Sequence, residues 1–166
     1  MANDPVNEAD CEWTETERGT THFRRKRLGA AAGGDDLGCS LYELPPGGRS
    51  WPYHFHTGNE EAIYVLAGTG ELRTPDGTIS LTAGDYVTLP ANEDGAHRLH
   101  NPGADQAEDP LRYLMISTMN DPDITVYPDS EKVSVFAGAP PGGDGERTLN
   151  ETFRRTDNVD YWEGEE

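Results

Sequence analysis

The chain has 166 residues, with thirteen Lys+Arg against thirty-one Asp+Glu, a formal net charge of −18 at pH 7, and no apolar stretch long enough to span a bilayer. That length fits one domain able to bury a substantial core. The charge argues against nucleic acid and anionic membrane surfaces as partners, because both present phosphates that the chain would repel.

Cys11 and Cys39 are too few and too far apart for a disulfide framework or a cysteine-based metal site, so two reduced thiols are expected. Met1–Pro5 lacks the basic and apolar regions of a secretory signal, which makes a soluble cytoplasmic protein the default. All the basic residues except Lys26 and Lys132 are arginine. An acidic, lysine-poor surface on a strand-patterned domain suggests adaptation to high salt, as in a halophile. At 1 M salt the Debye length shrinks to about 3 Å, and repulsion among surface carboxylates is largely screened. Charge-driven disorder suits the two ends of the chain but not its patterned middle.

Residues 1–20 are acidic and aperiodic and read as an arm with Trp13 as its anchor. Thr21–Leu28 reads as a first strand. Its basic run resembles a nucleic-acid signal in isolation, but the favoured reading has its arginines paired with surrounding carboxylates. His22 reads as a surface residue. Ala30–Gly34 is a turn, and from there strands and turns alternate at short spacing.

Strands are expected over 37–44, 51–56, 61–67, 71–74, 78–81, 86–89, 97–101, 111–117, 124–127 and 133–137, with Leu111–Ser117 the most apolar and central. Residues 102–110 read as a polar loop. No part of this middle has sustained helical periodicity. The expected fold class is all-β, an antiparallel barrel or jelly roll over residues 21–137 with a motif core at 37–120. Residues 138–166 read as a Gly/Pro-rich loop and an acidic tail, its Tyr161 and Trp162 pinning it to the barrel.

The chemistry concentrates at His54-Phe55-His56 and Glu60-Glu61. Strand alternation puts His54 and His56 on one face and Phe55 on the other. A carboxylate at the start of the next strand lies beside the imidazoles, giving a divalent-metal site short of one ligand. His97 is the best candidate to complete it. Glu60 and Glu61 point to opposite sides, which leaves Glu60 a rim carboxylate and a weak candidate for catalysis. His100 has the wrong parity and should face away. Tyr53 and Phe55 read as packing residues, while Ile63, Val65 and Leu99 should line an apolar interior. Arg49 and Arg73 could greet an anionic substrate, although surface pairing is the favoured reading. No phosphate loop, nucleotide fingerprint or Ser-His-Asp set stands out.

These residues resemble the two motifs of the cupin superfamily. Gly48, His54, His56, Glu61 and Gly68 match the spacing of the first. Gly84, Pro90, His97 and Asn101 match the second, with Asn92 where the family has glycine and a longer gap before His97. Asparagine can adopt left-handed backbone angles nearly as glycine does, so the turn is expected to be kept. The flanks Tyr127–Ser130 and Asp160–Trp162 are similar to those of small single-domain prokaryotic cupins.

The resemblance implies a single cupin barrel and a homodimer formed by strand exchange. It also implies one ion of Fe, Mn, Ni, Co or Zn held by His54, His56, Glu61 and His97. Function follows less closely, since one fold hosts many activities. The resemblance points to a metal-dependent enzyme on a small oxygenated metabolite, of dioxygenase, isomerase or decarboxylase type. The other reading is a non-catalytic barrel that binds or senses a small ligand.

The charge analysis makes one prediction. The melting temperature should fall on dialysis from molar to low salt, and a salt-independent melting temperature contradicts the halophilic reading.

Overall fold

The computed structural model describes residues 4–103 and 109–165. The first three residues of the expected arm, positions 104–108 of the expected polar loop and the last residue of the tail lie outside them. The described residues form strands β1 (Thr14–Arg18), β2 (Thr21–Lys26), β3 (Leu37–Leu44), β4 (Phe55–His56), β5 (Glu61–Ala67), β6 (Thr69–Thr74) and β7 (Gly77–Thr82). They continue with β8 (Tyr86–Leu89), β9 (Arg98–His100), β10 (Leu111–Thr118), β11 (Asp123–Tyr127), β12 (Lys132–Ala137) and β13 (Leu149–Arg154). The single α-helical turn, α1 (Leu28–Ala31), replaces part of the turn expected at 30–34. Among the described residues no helix is long and apolar enough to cross a membrane.

The strands make three antiparallel sheets, ordered β1-β2-β3-β10-β5-β8, β13-β12-β11-β4 and β7-β6-β9. The all-β barrel fold expected from the sequence is therefore the fold observed. β10 lies between β3 and β5, as its apolar composition requires.

Period-2 alternation builds the core. On β5, Ile63 and Val65 are fully buried while Tyr64 and Leu66 face out. They meet Tyr42, Leu44, Leu111 and Tyr113 of their own sheet and Leu72, Leu81 and Leu99 of the three-stranded sheet in one cluster. Tyr42 stacks on Tyr113 with centroids 5.2 Å apart. Gly68 closes the turn after β5 at φ 78°, where a Cβ would meet the Pro110 carbonyl at 2.6 Å, so both backbone angle and space require glycine.

Several expectations need correction. Part of the acidic arm is strand β1, paired along its whole length with β2. Trp13 does anchor it, lying between Arg24 and Lys26 at 4.5 and 4.7 Å from its ring centroid. Arg112 joins Glu8 to the nearly buried Glu43, which Arg24 also holds. The strand expected at 51–56 shrinks to β4, because Pro52 has no N–H to give a ladder.

Asn92 is not left-handed. It is extended at φ −162°, and its side chain accepts the Asp94 N–H to cap the short turn at 93–95. The tail adds an unexpected strand, β13, on β12. Tyr161 and Trp162 do not pin the tail to the barrel. They are 82% and 63% exposed and pack edge-on against each other.

Leu99 is fully buried in the cluster, where truncation leaves a void that rigid strands cannot fill. Leu99→Ala should destabilise the fold by about 2–5 kcal/mol in chemical denaturation.

Candidate metal centre

The site sits where the small sheets approach one another. His54 and His97 lie just outside β4 and β9 and pair as an isolated antiparallel bridge. The His54 N–H donates to the His97 carbonyl at 3.2 Å, and the His97 N–H donates back to the His54 carbonyl at 2.9 Å. This reciprocal pair places the two imidazole rings 4.7 Å apart. His56, two residues along on β4, turns its ring to the same side, 5.1 Å from that of His54. Glu61 enters from the first position of β5.

Ligand atoms of His54, His56 and Glu61 all lie within 4.8 Å of one another, a group that could hold a metal ion. His97 adjoins it, with Nε2 3.5 Å from Glu61 Oε2; His56 Nε2 is 3.7 Å from the same oxygen.

Each imidazole has its outer nitrogen engaged. His54 Nδ1 meets the Pro52 carbonyl at 2.7 Å and His97 Nδ1 meets the Gly95 carbonyl at 2.9 Å. Both carbonyls accept, so each Nδ1 carries the proton and each Nε2 keeps its lone pair free. His56 Nδ1 lies 2.5 Å from Asp123 Oδ2, and Asp123 Oδ1 accepts the Gly58 N–H at 3.0 Å. Asp123 is almost wholly buried and orients His56 as outer carboxylates orient metal-binding histidines.

Burial pushes His54 well below the ordinary imidazole range, reinforced by the neighbouring imidazoles, and burial also lowers His97. Both shifts favour the neutral imidazole that a metal ligand needs. Burial also opposes protonation of His56, but the hydrogen bond that it donates to Asp123 and the charge of Glu61 outweigh it and raise this residue.

Glu61 Oε2 supplies the test of fit. It is buried and has no hydrogen-bond partner, with His97 and His56 Nε2 at 3.5 and 3.7 Å beyond a good hydrogen bond. An anionic oxygen left this way is costly, and a divalent cation would satisfy it together with the imidazoles. The donor set of imidazole and carboxylate, without thiolate, suits first-row transition metals.

The other expectations sort by geometry. Glu60 is exposed and its backbone pairs with Thr118, so its side chain stands outside the site. His100 faces Glu71 at 3.5 Å, and His22 faces Glu15 at 3.1 Å. Arg73 is held bidentately by Asp129 at 2.6 and 2.8 Å and lies over Tyr53, which leaves it no free fork for a substrate. Arg49 belongs to a bridge with Thr21 and His100.

Sequence reading missed Asp123, Tyr127, whose ring stacks on His54 at 5.9 Å, and Arg25 and Arg27, which reach the cavity beside the histidines. Asp123 stood just outside the strand expected at 124–127 and carried no signal of its own. The arginines stood in a run whose members all seemed destined for carboxylates.

The comparisons agree with this architecture. Residues 40–117 match the family model described as Cupin domain. No curated protein matches the chain. Among solved structures, a candidate sugar phosphate isomerase from Acidithiobacillus ferrooxidans is similar at 26% identity and TM-score 0.75, covering 92% of this chain and 90% of that one. A sugar phosphate isomerase of a cupin superfamily from Silicibacter pomeroyi is similar at 20% identity and TM-score 0.77, covering 92% and 94%. The polyketide cyclase RemF from Streptomyces resistomycificus is similar at 23% identity and TM-score 0.58, covering 70% and 79%. The last two show likeness of fold.

Asp123→Asn should leave the fold intact while metal affinity, read by titration calorimetry, falls about 10–100-fold. The amide cannot accept from both His56 Nδ1 and the Gly58 N–H, so it releases the tautomer that frees His56 Nε2.

Proposed function

The chain carries a cupin domain, and from that premise we propose that it is a metal-dependent enzyme acting on a small oxygenated metabolite, of isomerase type. The observation that carries the metal is the unpartnered, buried Glu61 Oε2 among three imidazoles whose outer nitrogens are already committed. His54, His56 and His97 through Nε2, and Glu61 through its carboxylate, would hold one ion of Fe, Mn, Ni, Co or Zn. When bound, that ion supplies Lewis acidity and a template for adjacent substrate oxygens.

The protein's own residues do the rest. Ile63, Val65 and Leu99 are fully buried in the core cluster, on the strands that lead from Glu61 and His97. Asp123 keeps His56 in one tautomer and one orientation. Tyr127 flanks His54 and fixes the plane of its ring. The isomerase type, rather than dioxygenase or decarboxylase, is supported by similarity to the Acidithiobacillus ferrooxidans protein, itself named a candidate sugar phosphate isomerase. Glu60 is not proposed as the base, because it is exposed and lines no cavity beside the histidines.

The test is metal content by elemental mass spectrometry on protein purified without chelator or affinity metal, alongside His54→Ala and His97→Ala. About one equivalent should be present in the parent and lost in both variants, whose backbone bridge survives the substitution. Loaded protein should then interconvert an aldose phosphate and its ketose, followed by NMR. Metal without turnover favours a ligand-binding barrel. A folded parent that takes up no metal overturns the proposal.

A further inference from the structure

Two cavities open beside the candidate metal centre. One, of about 520 Å³, reaches Glu61 past Tyr42, Met115 and Ser117. The other, of about 360 Å³, is lined by His54, His56, Thr125 and Tyr127. They share Arg25, Arg27 and Trp51 as a wall and the loop at Pro141–Gly143 as a roof. Cavities of this size suit a small metabolite.

Their charge is the reverse of the rest of the protein. The cavity beside the histidines is lined by Arg25, Arg27 and Arg147 and by no carboxylate, in a chain with thirty-one acidic and thirteen basic residues. The larger cavity does carry carboxylates besides Glu61. Asp144 is tied to Arg27, Asp121 accepts the Gly138 N–H at 3.1 Å, and Asp35 is exposed.

The three arginines are not equivalent. Arg27 donates to Asp144 and to the Gly142 carbonyl. Arg147 donates to the Ala139 and Pro140 carbonyls at 3.0 and 2.9 Å and lies over Phe136. These two hold the roof. Arg25 has only a long contact, 3.4 Å, with the Tyr42 hydroxyl, and no carboxylate partner among the described residues. Its guanidinium is half-buried near the Tyr42 ring, with most of its donors free. A half-buried guanidinium with free donors matches a carboxylate or phosphoryl group bidentately.

We propose that Arg25 is the anion-binding residue of this site, taking the phosphate or carboxylate of a small oxygenated substrate whose other end faces Glu61 and the histidines. The proposal deepens the metal-site reading and rests on it for the second half of that pose. Arg27 and Arg147 raise the local positive potential while remaining bound to the roof, which leaves Arg25 to make the contact. The substrate is therefore anionic, and the acidic outer surface does not repel it once it has entered.

The experiment is calorimetry of metal-loaded protein with inorganic phosphate and, separately, with glycolate, comparing the parent with Arg25→Met and Arg25→Lys. Melting curves and metal content serve as controls. Arg25→Met should keep the parent's metal content and melting temperature yet bind one of the anions at least ~10-fold more weakly. Arg25→Lys should recover part of the loss. Loss confined to phosphate identifies a phosphoryl substrate, and loss confined to glycolate identifies a carboxylate.

If Arg25→Met binds both anions as the parent does, or the parent binds neither, the proposal is overturned while the metal reading stands on its own stoichiometry. If the parent holds no metal but binds phosphate through Arg25, the metal reading fails and the anion site survives.

Discussion

The whole site depends on one pair of backbone hydrogen bonds, those exchanged between His54 and His97. They join the end of the four-stranded sheet to the end of the three-stranded one, where neither β4 nor β9 is long enough to hold the other. The bond pair sets the separation of two imidazoles through main chain, whatever the side chains do. Side-chain rotation is removed separately, by the Pro52 and Gly95 carbonyls two residues upstream of each ring. Glu61 is then brought in by β5, whose register with β8 and β10 is fixed by the buried Ile63 and Val65. The frame thus gathers three imidazoles around a carboxylate oxygen that has no hydrogen-bond partner.

The grouping of His54, His56 and Glu61 was legible because their geometry is local. A two-residue strand period decides which face His54 and His56 share, and the short connection to Glu61 leaves that carboxylate few places to go. The gap between motifs is long, but Gly84, Pro90 and Asn101 mark the turns around His97. Asn101 does so physically, donating to the Leu44 carbonyl and accepting the Gly103 N–H.

What could not be read is what the topology brings from afar. Asp123 reaches His56 across 67 positions of sequence. Nothing within the basic run distinguishes Arg24, which meets Glu43, from Arg25, which faces a cavity; the pleat alone sends them to opposite sides. β13 was invisible because every residue in it is exposed, so it has no apolar alternation to betray a strand. At Asn92 the turn is kept, but by a side-chain cap rather than by the backbone freedom that glycine supplies elsewhere.

Charge is partitioned as well as abundant. The outer surface is overwhelmingly acidic, yet the few cations are concentrated where they hold something. Arg112 and Arg24 converge on the nearly buried Glu43, and Arg24 and Lys26 enclose Trp13. The N-terminal segment is thereby fastened beside β3 and β10 by the arginine-rich strand that also supplies the cavity wall. One short basic strand serves both purposes on its two faces.

The tie between Arg27 and the loop around Asp144 spans 117 positions. In order of synthesis the histidines, Glu61 and the arginine wall all precede the roof residues, so enclosure is the last part of the cavity to be made.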